Sequence, residues 1–282
     1  MDIYFSAMGS QFNMQMFHKQ AGTRLSEEGL NRFYEVARKF DIFTKLKTGE
    51  YKAELERIID YMIFSNEGKK KFLEMLMYCT GFRDEQFVVD SITTIHICEK
   101  LAGRLMMTED MKERLYYGAL LHDIGMLVIP KEITDAPRRL NSEEIKKVRL
   151  HVNAAEKVLD NMLREDVLSI VLGHHERCDG GGYPKRLRGQ QMGQEQKVLQ
   201  VADTITGMIS KRPYREPLSK EKVIEALNEE AAMDRLDRPI VSMFINYYDE
   251  IMQSVETESA EVMKMYQMLN SQYALVSKRF KM

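Results

Sequence analysis

Apolar residues recur three and four positions apart along most of this chain, the spacing that gathers them on one face of an α-helix. ELERIIDYMIF (54–64), FLEML (72–76), VVDSITTIHICEKLAGRLM (88–106) and KERLYYGALLHD (112–123) all follow it. EKVIEALNEEA (221–231) and IVSMFINYYDEIM (240–252) continue the pattern, and residues 256–282 read as a closing helix with a basic tail. NSEEIKKV (141–148) opens with a helix-start signature, Asn141 or Ser142 ahead of Glu144 and the apolar Ile145 and Val148. Alternating runs long enough for a strand do not occur, and no segment repeats. Breaks fall at TGFRDEQ (80–86), at 129–141 and across DGGGYPKRLRG (179–189). The expected fold class is all-α.

Composition narrows the setting. A length of 282 residues holds one large domain, or a domain of about 180–200 residues with a smaller companion. Histidine and other chemistry-bearing residues are sparse before about residue 85. Residues 1–85 are therefore expected to form a helical regulatory or oligomerising region, serving a homodimer or a regulatory protein, and 86–282 the functional domain. The net charge of −2, with both signs interspersed, gives no basic field for a nucleic-acid polymer or an anionic membrane. The longest apolar runs, such as LYYGALL (115–121), are too short to span a bilayer. The first residues lack the charged and apolar regions of a signal peptide. Cysteines at 79, 98 and 178 have no zinc-ribbon spacing and cannot all pair. A reducing cytoplasmic setting is the expectation.

Histidine placement carries the chemistry. Five of the six histidines, His96, His122, His151, His174 and His175, lie between residues 96 and 175. His96 and His151 each fall on an apolar stripe, where a lone histidine is ordinarily a hydrogen-bonded core residue. Asp203 is flanked almost wholly by apolar residues in VLQVADTITGMI. A carboxylate there needs a cation or several donors, because burying an unpaired charge is prohibitive. A shared metal answers all of these demands, since imidazole and carboxylate are the usual ligands of zinc, iron and manganese. Adjacent side chains on a helix diverge by roughly 100°, so one compact centre seldom uses both His174 and His175. Two ions can. His122–Asp123 ends a helix with Gly125 as the stop, and its carboxylate can bridge two ions while its imidazole binds one.

LLHDIGM (120–126), with His96 upstream and Asp203 downstream, resembles the H…HD…D pattern of the HD phosphohydrolase superfamily. HHERCDGGGYPKRLRG (174–189) followed by VADTITGMISKRPYR (201–215) resembles its HD-GYP subfamily, the bacterial cyclic di-GMP phosphodiesterases. The likeness covers about residues 88–250. It implies an HD-type helical bundle and a first ion on His96, His122, Asp123 and Asp203. It implies a second ion sharing Asp123 and held by His151, His174 and His175, with iron or manganese as the metals. His122 and Asp123 would carry catalysis, a hydroxide between the ions attacking phosphorus of cyclic di-GMP. Gly182, Tyr183 and Pro184 of the loop, and Arg212 and Arg215 downstream, match the family's substrate contacts, where a guanidinium fork suits a phosphate.

The sequence departs from the family at several places. Met126 stands where the family carries a lysine facing the scissile phosphate. Ile92 stands where members with three ions place a glutamate, which argues for two. Thr206 replaces an aspartate, Cys178 a tryptophan, Arg186 a glycine, and Val152 follows His151 in place of proline. Intact ligands favour a phosphodiesterase. Met126 favours a module that senses cyclic di-GMP without cleaving it, and a hydrolase acting on another cyclic dinucleotide or a nucleotide is the third reading.

Overall fold

The computed structural model describes residues 26–51, 53, 66–81, 85–159, 162–211 and 215–280. Its helices are α1 (Glu27–Lys39), α2 (Ile42–Thr48), α3 (Asn66–Gly81), α4 (Glu85–Arg104), α5 (Glu109–Leu121) and α6 (Lys131–Thr134). They continue as α7 (Ser142–Leu159), α8 (Glu165–Leu172), α9 (Gln194–Ile209), α10 (Lys220–Ala232), α11 (Arg238–Asn246) and α12 (Tyr248–Phe280). Among the described residues no strand occurs, only an isolated antiparallel bridge between Asp179 and Arg188. The fold is all-α, as its periodicity predicts. The helix expected over 54–64 lies outside the described residues.

Local chemistry sets the helix ends. Thr108 caps α5 by accepting from the Met111 N–H at 3.3 Å, with Glu109 and Asp110 in the first turn, where the partial positive charge of the helix favours acids. Asn141 and Glu144 form a reciprocal box at the start of α7. Each side chain accepts the other's backbone N–H at 2.9 Å. One break was not visible in the periodicity. Residues 240–252 read as one helix, yet α11 stops at Tyr247, whose N–H turns back to Phe244 O at 3.2 Å, and α12 begins at Tyr248. Phe244 and Ile251 are fully buried on either side of the break, so the apolar spacing runs through it.

The chain divides into two compact units, Lys71–Asn270 and the residues on either side of it. In the smaller unit α1 packs on α2, and Leu30, Tyr34 and Ala37 form the buried face of α1. In the larger unit α9 is central, packing against α4, α5, α8, α10 and α11. Val198, Leu199, Val201, Ala202 and Ile205 are wholly buried along it. Each such side chain, Ala202 apart, stabilises the fold by roughly 1.5–3 kcal/mol. Met77 and Tyr78 of α3 belong to this same core, upstream of the division expected at 85/86. Polar ties fix the orientation of α9. Arg114 of α5 donates from Nε and Nη2 to Glu195 Oε1 at 3.1 and 2.6 Å, and Thr94 Oγ1 of α4 bonds Thr206 Oγ1 at 2.9 Å in the interior.

After α5 the chain makes a 3-10 turn, Ile124–Val128, that lies directly on α7. Gly125 permits this approach. A Cβ there would stand 1.9 Å from His151 O and 2.8 Å from Ala155 N, both main-chain atoms that cannot yield cheaply. Gly125→Ala is expected to destabilise the fold by about 3 kcal/mol or more, the upper range of overpacking costs. Gly103→Ala, where a Cβ meets nothing within 4 Å, is expected to be neutral or stabilising, and urea titration of the two variants against wild type checks both.

Candidate metal centre

The turn and three helices bring six of the chemistry-bearing side chains to one place. His122 follows the last residue of α5, His174 and His175 follow α8, His151 sits within α7, and Asp203 lies on α9. Three imidazoles are locked in the same way. Nδ1 of His122 bonds Ala119 O at 2.7 Å, that of His151 bonds Val148 O at 2.7 Å, and that of His174 bonds Val171 O at 2.6 Å. A nitrogen facing a carbonyl must carry the proton, so Nδ1 is the donor and Nε2 keeps its lone pair. The carbonyls of Ala119 and Val171, in the last turns of their helices, lack intrahelical partners, while that of Val148, inside α7, accepts through its second lone pair.

Asp123 lies among those lone pairs and divides its two oxygens between them. Oδ1 stands 3.4 Å from His151 Nε2 and 3.7 Å from His174 Nε2, while Oδ2 stands 3.5 Å from His122 Nε2. Asp203 completes the second side, with Oδ1 3.8 Å from His122 Nε2 and Oδ2 3.7 Å from His175 Nδ1. Donor atoms of Asp123, His151, His174 and His175 all fall within 4.8 Å of one another. Donors about 2.1 Å from one ion in tetrahedral array lie about 3.4 Å apart, so this set fits a transition metal. Two helix C-termini, of α5 and α8, also direct their partial negative charge toward the cluster, which favours a cation. His122, His151 and His174 are at most 2% exposed, whereas Asp123, Asp203 and His175 are 24–29% exposed. The cluster is closed behind the histidines and open along the carboxylates.

Protonation follows from burial and neighbours. Burial, then the adjacent imidazoles, holds His174 well below the usual histidine range. The same causes push His175 down to about 3. Burial also works to lower His122, but the carboxylates of Asp123 and Asp203 outweigh it and leave His122 raised. Both neighbouring histidines thus offer neutral nitrogens at ordinary pH, as metal ligation requires.

The structure does not bring His96 to this cluster. Its Nδ1 stands 3.1 Å from Glu258 Oε2 of α12 and 3.2 Å from Glu99 Oε2, which corrects the placement expected from the sequence. The reason is helical phase. Asp90, six residues earlier and about 240° around α4, has the negative charge that adds to the effect of Asp123 and Asp203 on His122. Gln86 Nε2 and Ser210 Oγ hold its Oδ1 at 2.8 and 2.5 Å. Asp90 carries no motif in the sequence, since a single aspartate within an apolar-spaced helix matches none of the metal-ligand patterns. Ile92 is a core residue. Arg215 is likewise directed elsewhere: its Nη2 donates to Gly207 O and Met208 O, closing the end of α9. Arg212 lies outside the described residues.

The GYP loop sits against the cluster. Tyr183 N–H donates to His175 O at 3.1 Å, and the Tyr183 ring lies 4.8 Å from the His175 ring. A Cβ at Gly182 would stand 2.4 Å from Arg177 N, so only glycine lets the loop lie this close. Pro184 follows, exposed. Glu176, unremarked in the sequence, is the anchor. It is 1% exposed, and its carboxylate accepts the N–H of Lys185 at 2.6 Å and of Leu187 at 2.8 Å. Arg149 of α7 stands over the Tyr183 ring, 5.0 Å from its centroid.

A family model described as HD domain matches residues 75–240, more than half of the chain. The chain belongs to the HD domain family. Within it, the loop beside the histidine pair and the relatives below mark the HD-GYP subfamily. The 3'3'-cGAMP-specific phosphodiesterase 1 of Vibrio cholerae is 30% identical over 164 residues, 58% of this chain and 38% of that protein. A probable cyclic di-GMP phosphodiesterase of Vibrio cholerae is 28% identical over 234 residues, 74% of this chain and 50% of that protein. The cyclic di-GMP phosphodiesterase of Thermotoga maritima is 28% identical over 193 residues, 67% of this chain and 52% of that protein. The chain thus spans between 38% and 52% of these relatives' length. Among the described residues no helix is long and apolar enough to cross a membrane.

The depressed histidines set an acid limit on the metal-free protein. An unfolded histidine titrates near 6.5, so below that pH the unfolded chain binds protons that folded His174 and His175 refuse. Stability then falls as pH drops below 6.5, because the unfolded chain takes up protons that the folded pair does not. The His122 contribution is already complete below 6.5, because its folded affinity is the higher one. Denaturant midpoints of metal-free protein are expected to drop from pH 6.5 to 5, and a His174→Gln variant to show a shallower slope.

Proposed function

We propose that this chain is a metal-dependent phosphodiesterase that opens cyclic di-GMP to linear pGpG. The observation that carries this reading is the divided carboxylate of Asp123, one oxygen toward His151 and His174 and the other toward His122. That arrangement suits two ions rather than one. Asp123, His151, His174 and His175 would hold one, and Asp123, His122 and Asp203 the other, with iron or manganese fitting the mixed imidazole and carboxylate donors. Such ions supply Lewis acidity toward phosphoryl oxygens and lower the pKa of water. The protein's own part is to keep the imidazoles neutral and oriented, to close the histidine side to solvent, and to admit substrate along the carboxylate edge. Gly182, Tyr183 and Pro184 form the wall of that entrance, with Arg212 assigned to the substrate phosphates. Of the region 1–85 expected to be regulatory or oligomerising, the part outside the larger unit, residues 1–70, is assigned that role.

A second reading has one specific support. Met126 lies in the turn immediately after Asp123 and brings no charge to the phosphate. A module that binds cyclic di-GMP and reports it to a partner would tolerate that loss. Relatives named for 3'3'-cGAMP make that dinucleotide the alternative substrate to assay in parallel.

Purification under reducing, anaerobic conditions, elemental analysis and chromatography of nucleotide products distinguish the readings. Close to two transition metals per chain are expected, and Asp123→Ala is expected to lose metal and turnover together. A folded protein that takes up no metal on reconstitution overturns the proposal; binding of cyclic di-GMP without turnover favours the sensor. Met126→Lys restores a charged donor near the phosphate. A charge-assisted hydrogen bond contributes about 1.5–3 kcal/mol, which corresponds to an expected rise in turnover on the order of 10- to 100-fold at unchanged metal content.

A further inference from the structure

Most arginines of the larger unit are spent on the fold. Arg114, Arg138, Arg164, Arg177 and Arg235 each pair with a carboxylate, and Arg215 and Arg238 bond main-chain carbonyls. Arg149 differs. It is exposed on α7, two residues before His151, and among the described residues no carboxylate or carbonyl engages its guanidinium. What it touches is the face of Tyr183, whose ring in turn stands 4.8 Å from His175. A guanidinium stacked on an aromatic ring is held in place while its N–H edges stay available. Such a cation, one aromatic ring away from His175, is suited to an anion, and a planar fork matches phosphate oxygens in pairs. It is also offset from the cluster, since it forms no ion pair with Asp123 or Asp203, although its charge is felt at both His175 and Tyr183.

We infer that Arg149 is a substrate-positioning residue that grips the second, uncleaved phosphate of a cyclic dinucleotide whose first phosphate lies at the Asp123 cluster. This rests on the phosphodiesterase reading and deepens it. A cyclic dinucleotide carries two phosphates on opposite sides of its ring, so a cation one aromatic ring away from the cluster reaches the one that a small phosphodiester lacks. Arg149 thereby supplies part of the positive charge that Met126 withholds, but in binding rather than at the reacting bond.

The test uses the full chain, manganese-loaded, as wild type, Arg149→Ala and Arg149→Lys. Metal per chain, KM and kcat are measured for cyclic di-GMP and for bis(p-nitrophenyl) phosphate, which has a single phosphate. Loss of a charge-assisted hydrogen bond predicts a KM for cyclic di-GMP raised about 10- to 100-fold in Arg149→Ala. The kcat should stay within about twofold and Arg149→Lys should recover part of the loss, as a point charge without the fork does. Hydrolysis of bis(p-nitrophenyl) phosphate and metal content should not change. A KM for cyclic di-GMP that stays within twofold of wild type overturns the inference and leaves the phosphodiesterase reading intact. An equal loss on both substrates, or a loss of metal, overturns it in favour of a structural role. If wild type binds cyclic di-GMP without cleaving it, the enzymatic reading fails alone, and a Kd raised by Arg149→Ala in equilibrium dialysis still supports the contact. A Kd unmoved by the substitution then overturns it too.

Discussion

The placement of one carboxylate organises the larger unit. Asp123 must meet His151 and His174 with one oxygen and His122 with the other, and three separate segments have to converge for that to happen. Nothing in a metal-free interior rewards such a concentration of imidazoles and carboxylates, since each buried polar group without a partner costs free energy. The surrounding structure shows how the convergence is enforced. Gly125 lets the turn after Asp123 rest on the backbone of His151, and α9 is buried on nearly every side so that Asp203 is presented at a fixed height. Arg114 and Glu195 fasten the first turn of that helix to α5, which delivers His122.

Rigidity and access are divided between the two sides of the cluster. Three imidazoles are tied to carbonyls of their own helices, so each ring can shift only as its helix shifts. Such preorganisation leaves little rearrangement for an arriving ion to drive. The opposite side is built from Asp123, Asp203, His175 and the Tyr183 loop, all partly solvent-exposed, with the Arg149 guanidinium at its margin. Charge-handling groups thus face outward while the groups that fix geometry face inward.

Much of this was legible in the residue order. The all-α class follows from apolar spacing, and the order of HD, the histidine pair, the GYP loop and VAD points to the cluster without coordinates. What escaped depended on phase or on main-chain geometry. His96 and Asp90 share a helix and differ by six positions, and only the packing of α4 against α9 and α12 decides which of them turns toward His122. Arg215 looked like a phosphate ligand because a sequence cannot show that the carbonyls of Gly207 and Met208 are within its reach. Glu176 went unnoticed since its partners are backbone amides, which every residue type supplies equally.

The loop after the histidine pair is held at its base by main-chain N–H groups of residues 185 and 187, not by their side chains. Lys185 and Arg186 are exposed and are not needed for anchoring, and Arg186 sits where glycine is usual in the family. Anchoring therefore leaves the side chain at 185 unconstrained, whereas position 186, at φ 56, sits in the left-handed region that favours glycine. The main-chain anchor and the histidine pair are thus adjacent in sequence yet held by different kinds of contact.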